Sequence, residues 1–171
     1  MNFLEELAAE WYEYNGYFSQ ANIRFGPTGH GGHIGEMDVI AYHPKTKELV
    51  HIECSTDSLS WQKKKEIFAK KFKNAQKFYN EKFPFNKKKI HRIAITGFSR
   101  PRNNAEQKMN FGKEIEVFLV PEFIVLIATK LSKLDPWYVG INEASYPLLR
   151  AIQFGTFYLK RTEKRSKNPK N

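Results

Sequence analysis

Cysteine is nearly absent from this sequence. Cys54 is the single one in 171 residues, so no disulfide can close within the chain. That fits a reducing, cytoplasmic setting, and Cys54 reads as a buried structural thiol. Long apolar runs are missing too. None reaches the roughly 18–20 residues that a membrane span needs, and the acidic first residues do not resemble a signal peptide. No membrane partner is therefore expected. Acids are scarce against bases, 18 Asp and Glu to 28 Lys and Arg, a formal net charge of +10. Such a balance calls for an anionic partner, and nucleic acid comes first. There is no internal repeat, and neither a helix-turn-helix nor a zinc-finger signature appears, which sets aside the familiar base-reading modules.

What is present can fold. The chain is 41% hydrophobic and carries 14 Phe, 8 Tyr and 3 Trp, enough for one domain with a real core. The most informative stretch is 35–55, G-E-M-D-V-I-A-Y-H-P-K-T-K-E-L-V-H-I-E-C-S. Two runs rich in apolar and β-branched residues flank a polar turn at 43–47, the pattern of a β-hairpin. Alternation puts Glu36, Asp38 and Ile40 on one face, and His51, Glu53 and Ser55 on one face of the second run. A hairpin symmetric about Lys45-Thr46 sets Asp38 opposite Glu53 and Glu36 opposite Ser55, with Cβ atoms roughly 4.5–5.5 Å apart. Two carboxylates so close repel unless a cation or a shared proton intervenes. A hard divalent cation is the simplest answer.

The other elements follow from local pattern. Residues 2–14 read as a helix with Phe3, Leu7, Trp11 and Tyr14 on one stripe. Residues 17–25 read as a strand, and 26–33 as a glycine-rich loop carrying His30 and His33. A long helix is expected over 59–82, with Trp61, Phe68, Phe72, Ala75 and Tyr79 inward and a dense set of lysines outward. Strands at 90–96 and 115–120, a helix at 121–131 and another at 143–159 complete a domain over 1–160. Between the two strands, 99–113 reads as a polar loop. A basic tail over 161–171 has the composition of a disordered segment. His51 reads as a packing residue, and His30 with His33 as loop residues that could touch substrate rather than a metal site.

The order α-β-β-β-α-β, an α/β fold with a mixed central sheet flanked by helices, carries Gly35-Glu36-Met37-Asp38-Val39-Ile40-Ala41 and then Ile52-Glu53-Cys54-Ser55. It resembles the PD-(D/E)XK (restriction-endonuclease-like) nuclease superfamily, with some likeness to Holliday-junction resolvases. Glu5, Ala8 and Gly16 in the first helix, and Asn22-Ile23-Arg24 before the glycine loop, are similar to members of that superfamily. The resemblance implies a DNA endonuclease using Mg²⁺, with Mn²⁺ as a substitute. It implies Asp38, Glu53 and the backbone carbonyl of Cys54 as metal ligands, and Glu5 as a further one, directly or through water. Glu36 and Gln62 take a supporting role. Ser55 stands where the pattern has its lysine. Either Lys64 or Lys65 of the next helix replaces that lysine, Lys63 being at a less favourable angle, or the site is impaired. In the second case the protein binds DNA without cutting it, or serves as a subunit of a DNA-processing complex. Arg24, His30, His33, Lys87, Lys88, Lys89 and Arg92 are the expected contacts to nucleic acid, and a two-fold homodimer would suit cutting both strands.

Overall fold

The computed structural model describes residues 2–97, 107–108 and 111–167. The expected loop residues 99–106 and 109–110, and the tail residues 168–171, lie outside the described residues. The chain divides into two compact units, Met1–Pro121 and Glu122–Asn171, where a single domain through 160 is expected.

The first unit opens with helix α1, Phe3–Tyr14. The Asn2 side chain accepts from the Leu4 and Glu5 amides, and the Glu5 carboxylate accepts in return from the Asn2 amide at 3.0 Å. This reciprocal cap satisfies donors that the first turn would otherwise leave open. Gly16, at φ 90°, then turns the chain. Strands β1 (Phe18–Pro27), β2 (His33–His43), β3 (Glu48–Ser55), β4 (His91–Thr96) and β5 (Ile115–Leu119) form one sheet in that order. The first two pairings are antiparallel and the last two parallel, so the sheet is mixed. The β2–β3 turn spans 44–47, and its Lys47 amide returns to the His43 carbonyl at 2.9 Å.

A parallel β3–β4 pair needs a crossover, which helices α2 (Trp61–Gln76) and α3 (Tyr79–Lys82) supply. The helix expected over 59–82 is thus two. Neither glycine nor proline marks the break, and packing decides it: the Phe78 ring sits 5.1 Å from that of Phe25 on β1. One apolar cluster joins Phe25, Met37, Ile40, Leu49, Ala75, Tyr79, Phe83 and Ile90, and a second joins Phe68, Phe72, Ala94, Phe111 and Val117. Strand β3 has a neighbour on each side and is buried from Leu49 to Cys54. A strand covered in this way is normally all apolar, which makes His51 and Glu53 conspicuous.

Helices α4 (Val120–Leu131) and α5 (Pro147–Lys167) follow. The last helix starts later and runs further than expected, and its backbone takes in residues 161–167 of the expected disordered tail. Helix formers such as Lys, Arg and Glu carry it on without a stop signal. Among the described residues, no helix is long and apolar enough to cross a membrane.

Candidate active site

The β2–β3 register sets Val39 opposite Ile52 and Ala41 opposite Val50. One further step along it brings Asp38 to Glu53. The two carboxylates do face a common point, and what occupies that point is the ammonium of Lys71 on α2. Lys71 Nζ lies 2.9 Å and 2.8 Å from the two oxygens of Asp38, and 2.5 Å from Glu53 Oε2. The Cys54 amide donates to Asp38 Oδ2 at 2.8 Å. Glu53 Oε1 faces His51 Nε2 at 2.8 Å, and His51 Nδ1 faces the Tyr79 hydroxyl at 2.6 Å. Glu53 Oε2 is buried and meets the Lys71 ammonium in an ion pair.

Burial dominates the charges here. It pushes the Asp38 carboxyl up to about 6, helped by the Glu53 charge and opposed by Lys71 and the Cys54 amide. Glu53 is also raised, by burial first, against the pull of Lys71. Burial works to lower the Lys71 ammonium, but the charges and hydrogen bonds of Glu53 and Asp38 together outweigh it and hold it at about 12. Lys71 is therefore a fixed positive charge at neutral pH and not a base. His51 is driven down to about 3, chiefly by burial, so its ring is neutral. Burial pushes the Cys54 thiol well up, which suits a structural thiol.

The other expected residues lie elsewhere. Lys64 is buried, but its ammonium donates to the Gly97 carbonyl at 2.6 Å and lies 5.5 Å from the centre of the Trp61 ring. Lys63 and Lys65 are exposed. Gln62 donates to Glu66 at 2.8 Å on the outer face of the helix. So the lysine beside the carboxylates is on the expected helix but two turns beyond 63–65, because the first turn of α2 faces the end of the sheet near Gly97. Ser55 bonds Asp57 at 3.1 Å, making a local turn. Glu36 pairs with Arg24 across the β1–β2 ladder at 3.2 Å, both partly open to solvent. Glu5 is held by its cap to Asn2, and its charge still raises Glu53 and Cys54. His30 and His33 are exposed.

Beside Lys71 an open cleft of about 300 Å³ is lined by Glu36, Ile67, Lys70, Lys71 and Asn74, among others. Gly35 belongs to its wall, where a Cβ would come within 2.6 Å of the Phe25 ring. A second cavity, of about 370 Å³, gathers Lys87, Lys88, Lys89 and Arg92. There Lys88 donates to the Thr46 carbonyl at 2.7 Å and Lys89 pairs with Glu114 at 2.9 Å.

Lys71, His51 and Tyr79 lie outside the sequence motif. For Lys71 the signal is helix phase. It sits three residues after Phe68 and four before Ala75, on the inward stripe. For His51 the signal is a polar residue within a buried strand, two positions before Glu53.

Among the described residues, no group of three His, Cys, Asp or Glu side chains could hold a metal ion. Asp38 and Glu53 nevertheless fit a hard dication of the Mg²⁺ type, which takes one or two protein carboxylates and keeps its waters. Their oxygens already converge on one cationic nitrogen. No family model, curated protein or solved structure matches this chain.

Proposed function

We propose that this protein is a metal-dependent DNA endonuclease of the PD-(D/E)XK type, hydrolysing phosphodiester bonds with Mg²⁺ or Mn²⁺. The observation that carries this is the Lys71 ammonium set against the register-paired carboxylates Asp38 and Glu53. The sequence has Ser55 where the pattern has its lysine, and α2 brings the Lys71 ammonium to the two carboxylates. The element order and the antiparallel, antiparallel, parallel run of the sheet also support the restriction-endonuclease-like assignment.

Asp38, Glu53 and the Cys54 carbonyl would hold the cation. The chemistry it supplies when bound is polarisation of the phosphate and a lowered pKa for an attacking water. Lys71 keeps its proton and places fixed positive charge where the phosphate gains negative charge. The cleft at Lys70, Lys71 and Asn74 would set the backbone of the substrate against Lys71. The exposed lysines of α2 supply sequence-independent attraction to phosphate.

A non-catalytic DNA-binding protein on the same fold, or a subunit of a DNA-processing complex, is the second reading. It is favoured by the Lys71 ammonium already neutralising the pair and by the lack of a third ligating side chain among the described residues. Incubation with plasmid and branched DNA in Mg²⁺, Mn²⁺ or EDTA separates the two. Metal-dependent cleavage that Asp38→Ala and Glu53→Ala each abolish, with DNA binding retained, is expected. Salt-sensitive binding without any cleavage would establish the second reading instead.

A further inference from the structure

Glu53 is held from behind by His51, and His51 in turn by Tyr79, neither of which a nuclease motif includes. His51 lies on the same face of β3 and is fully buried with Glu53. Phe72 and Tyr79 pack edge-on to its ring, at 4.9 Å and 5.7 Å between centroids. An apolar side chain would fill this space without the cost of burying an imidazole. Both ring nitrogens are engaged, Nε2 with Glu53 Oε1 at 2.8 Å and Nδ1 with the Tyr79 hydroxyl at 2.6 Å.

The direction of these bonds follows from the donor inventory. Glu53 is ion-paired with the Lys71 ammonium, and an ionised carboxylate only accepts, so Nε2 carries the proton. Nδ1 of the neutral ring then accepts, and the Tyr79 hydroxyl donates to it. The break between α2 and α3 sets Tyr79 where its hydroxyl can do this, with the Arg92 guanidinium 5.8 Å from its ring centre. The donors run one way, Tyr79 to His51 to Glu53, and end on Oε1. That leaves Oε2 as the oxygen turned toward Lys71 and Asp38.

We propose that His51 and Tyr79 are positioning residues that fix the Glu53 carboxylate and present Oε2 to a divalent cation. This rests on Asp38 and Glu53 being the cation site of the proposed function. It does not rest on cleavage itself.

Two readouts test it on the full chain. Nitrogen-15 NMR of the metal-free protein reports which ring nitrogen of His51 bears the proton, and Nε2 is expected. Mn²⁺ binding, followed by electron paramagnetic resonance, reports the presentation of Oε2. Outer partners of this kind are worth about 10–100-fold in metal affinity. Tyr79→Phe and His51→Phe should weaken Mn²⁺ binding by about that factor. His51→Gln, whose amide nitrogen reaches where Nε2 stands, should stay within about threefold of the wild type. Circular dichroism and Tm select the folded variants, and the tautomer measurement needs no variant at all. A proton on Nδ1, wild-type affinity in the folded Tyr79→Phe protein, or no Mn²⁺ binding by the wild type would each overturn the proposal. Mn²⁺ binding with these losses but no DNA cleavage would sustain it while the nuclease function fails.

Discussion

Lys64 and Lys71 stand two turns apart on one face of α2, about 10 Å along its axis, and their ammonium groups meet different chemistry. Lys64 ends on a neutral backbone carbonyl, that of Gly97, and burial lowers its pKa with only the Asp57 charge in opposition. Lys71 ends on two carboxylates and is held at about 12. Same residue type, same helix and opposite shifts: burial alone does not give a lysine a role in a charged site. What matters is which groups the ammonium reaches. The first ties the start of the helix to the loop after β4. The second balances charge that the sheet would otherwise bury unpaired.

The largest difference between them should appear in catalysis. Lys71→Ala is expected to lower metal-dependent DNA cleavage by about 10²–10³-fold, the usual loss when a preorganised charge is removed from a transition state. Duplex binding in a gel-shift assay should change little. Lys64→Met should leave the rate within about threefold of wild type.

A smaller effect separates them in stability. Lys64→Met leaves the Gly97 carbonyl without its donor, at about 1–3 kcal/mol, read as a fall of a few degrees in Tm. Equal rates and equal Tm for Lys64→Met and wild type would show that the Lys64–Gly97 contact does not stabilise the fold.

The finest distinction is in alkali. The folded state holds the Lys71 proton more tightly than the unfolded chain does. Its contribution to stability is present below the ordinary value of 10.5 and is lost as pH rises through about 12. Lys64 has the opposite sign. Its folded value is lowered, so the wild type gains stability as pH rises toward 10.5 and the buried charge is released. Tm series between pH 8 and pH 12 should therefore show the deficit of Lys71→Ala shrinking with pH, and that of Lys64→Met widening.

Much of the carboxylate pair could be read without coordinates. Strand alternation and a hairpin symmetric about Lys45-Thr46 are local rules, and together they predict the Asp38–Glu53 register. Lys71 could not be chosen the same way. Helix phase admits Lys64 and Lys71 equally, and only the distance between α2 and the sheet says which turn overlies Glu53. The break after Gln76 was equally hidden, since Phe78 turns the chain by packing on Phe25 rather than through a glycine or proline. With it went the chance to see Tyr79 and His51 as partners. The division after Pro121 and the run of α5 through Lys167 also depend on contacts and helix propagation that no motif marks.

In the proposed site, Lys71 supplies the positive charge that Ser55 cannot. Ser55 shares the strand face of Glu53, so a lysine placed at that position would point to the same carboxylates. The direct measurement is the cleavage rate of Ser55→Lys combined with Lys71→Ala, at saturating DNA and Mg²⁺, beside Lys71→Ala alone. Recovery of at least about tenfold is the predicted result. A Lys71→Ala protein that cleaves as fast as wild type, leaving nothing to recover, would contradict it.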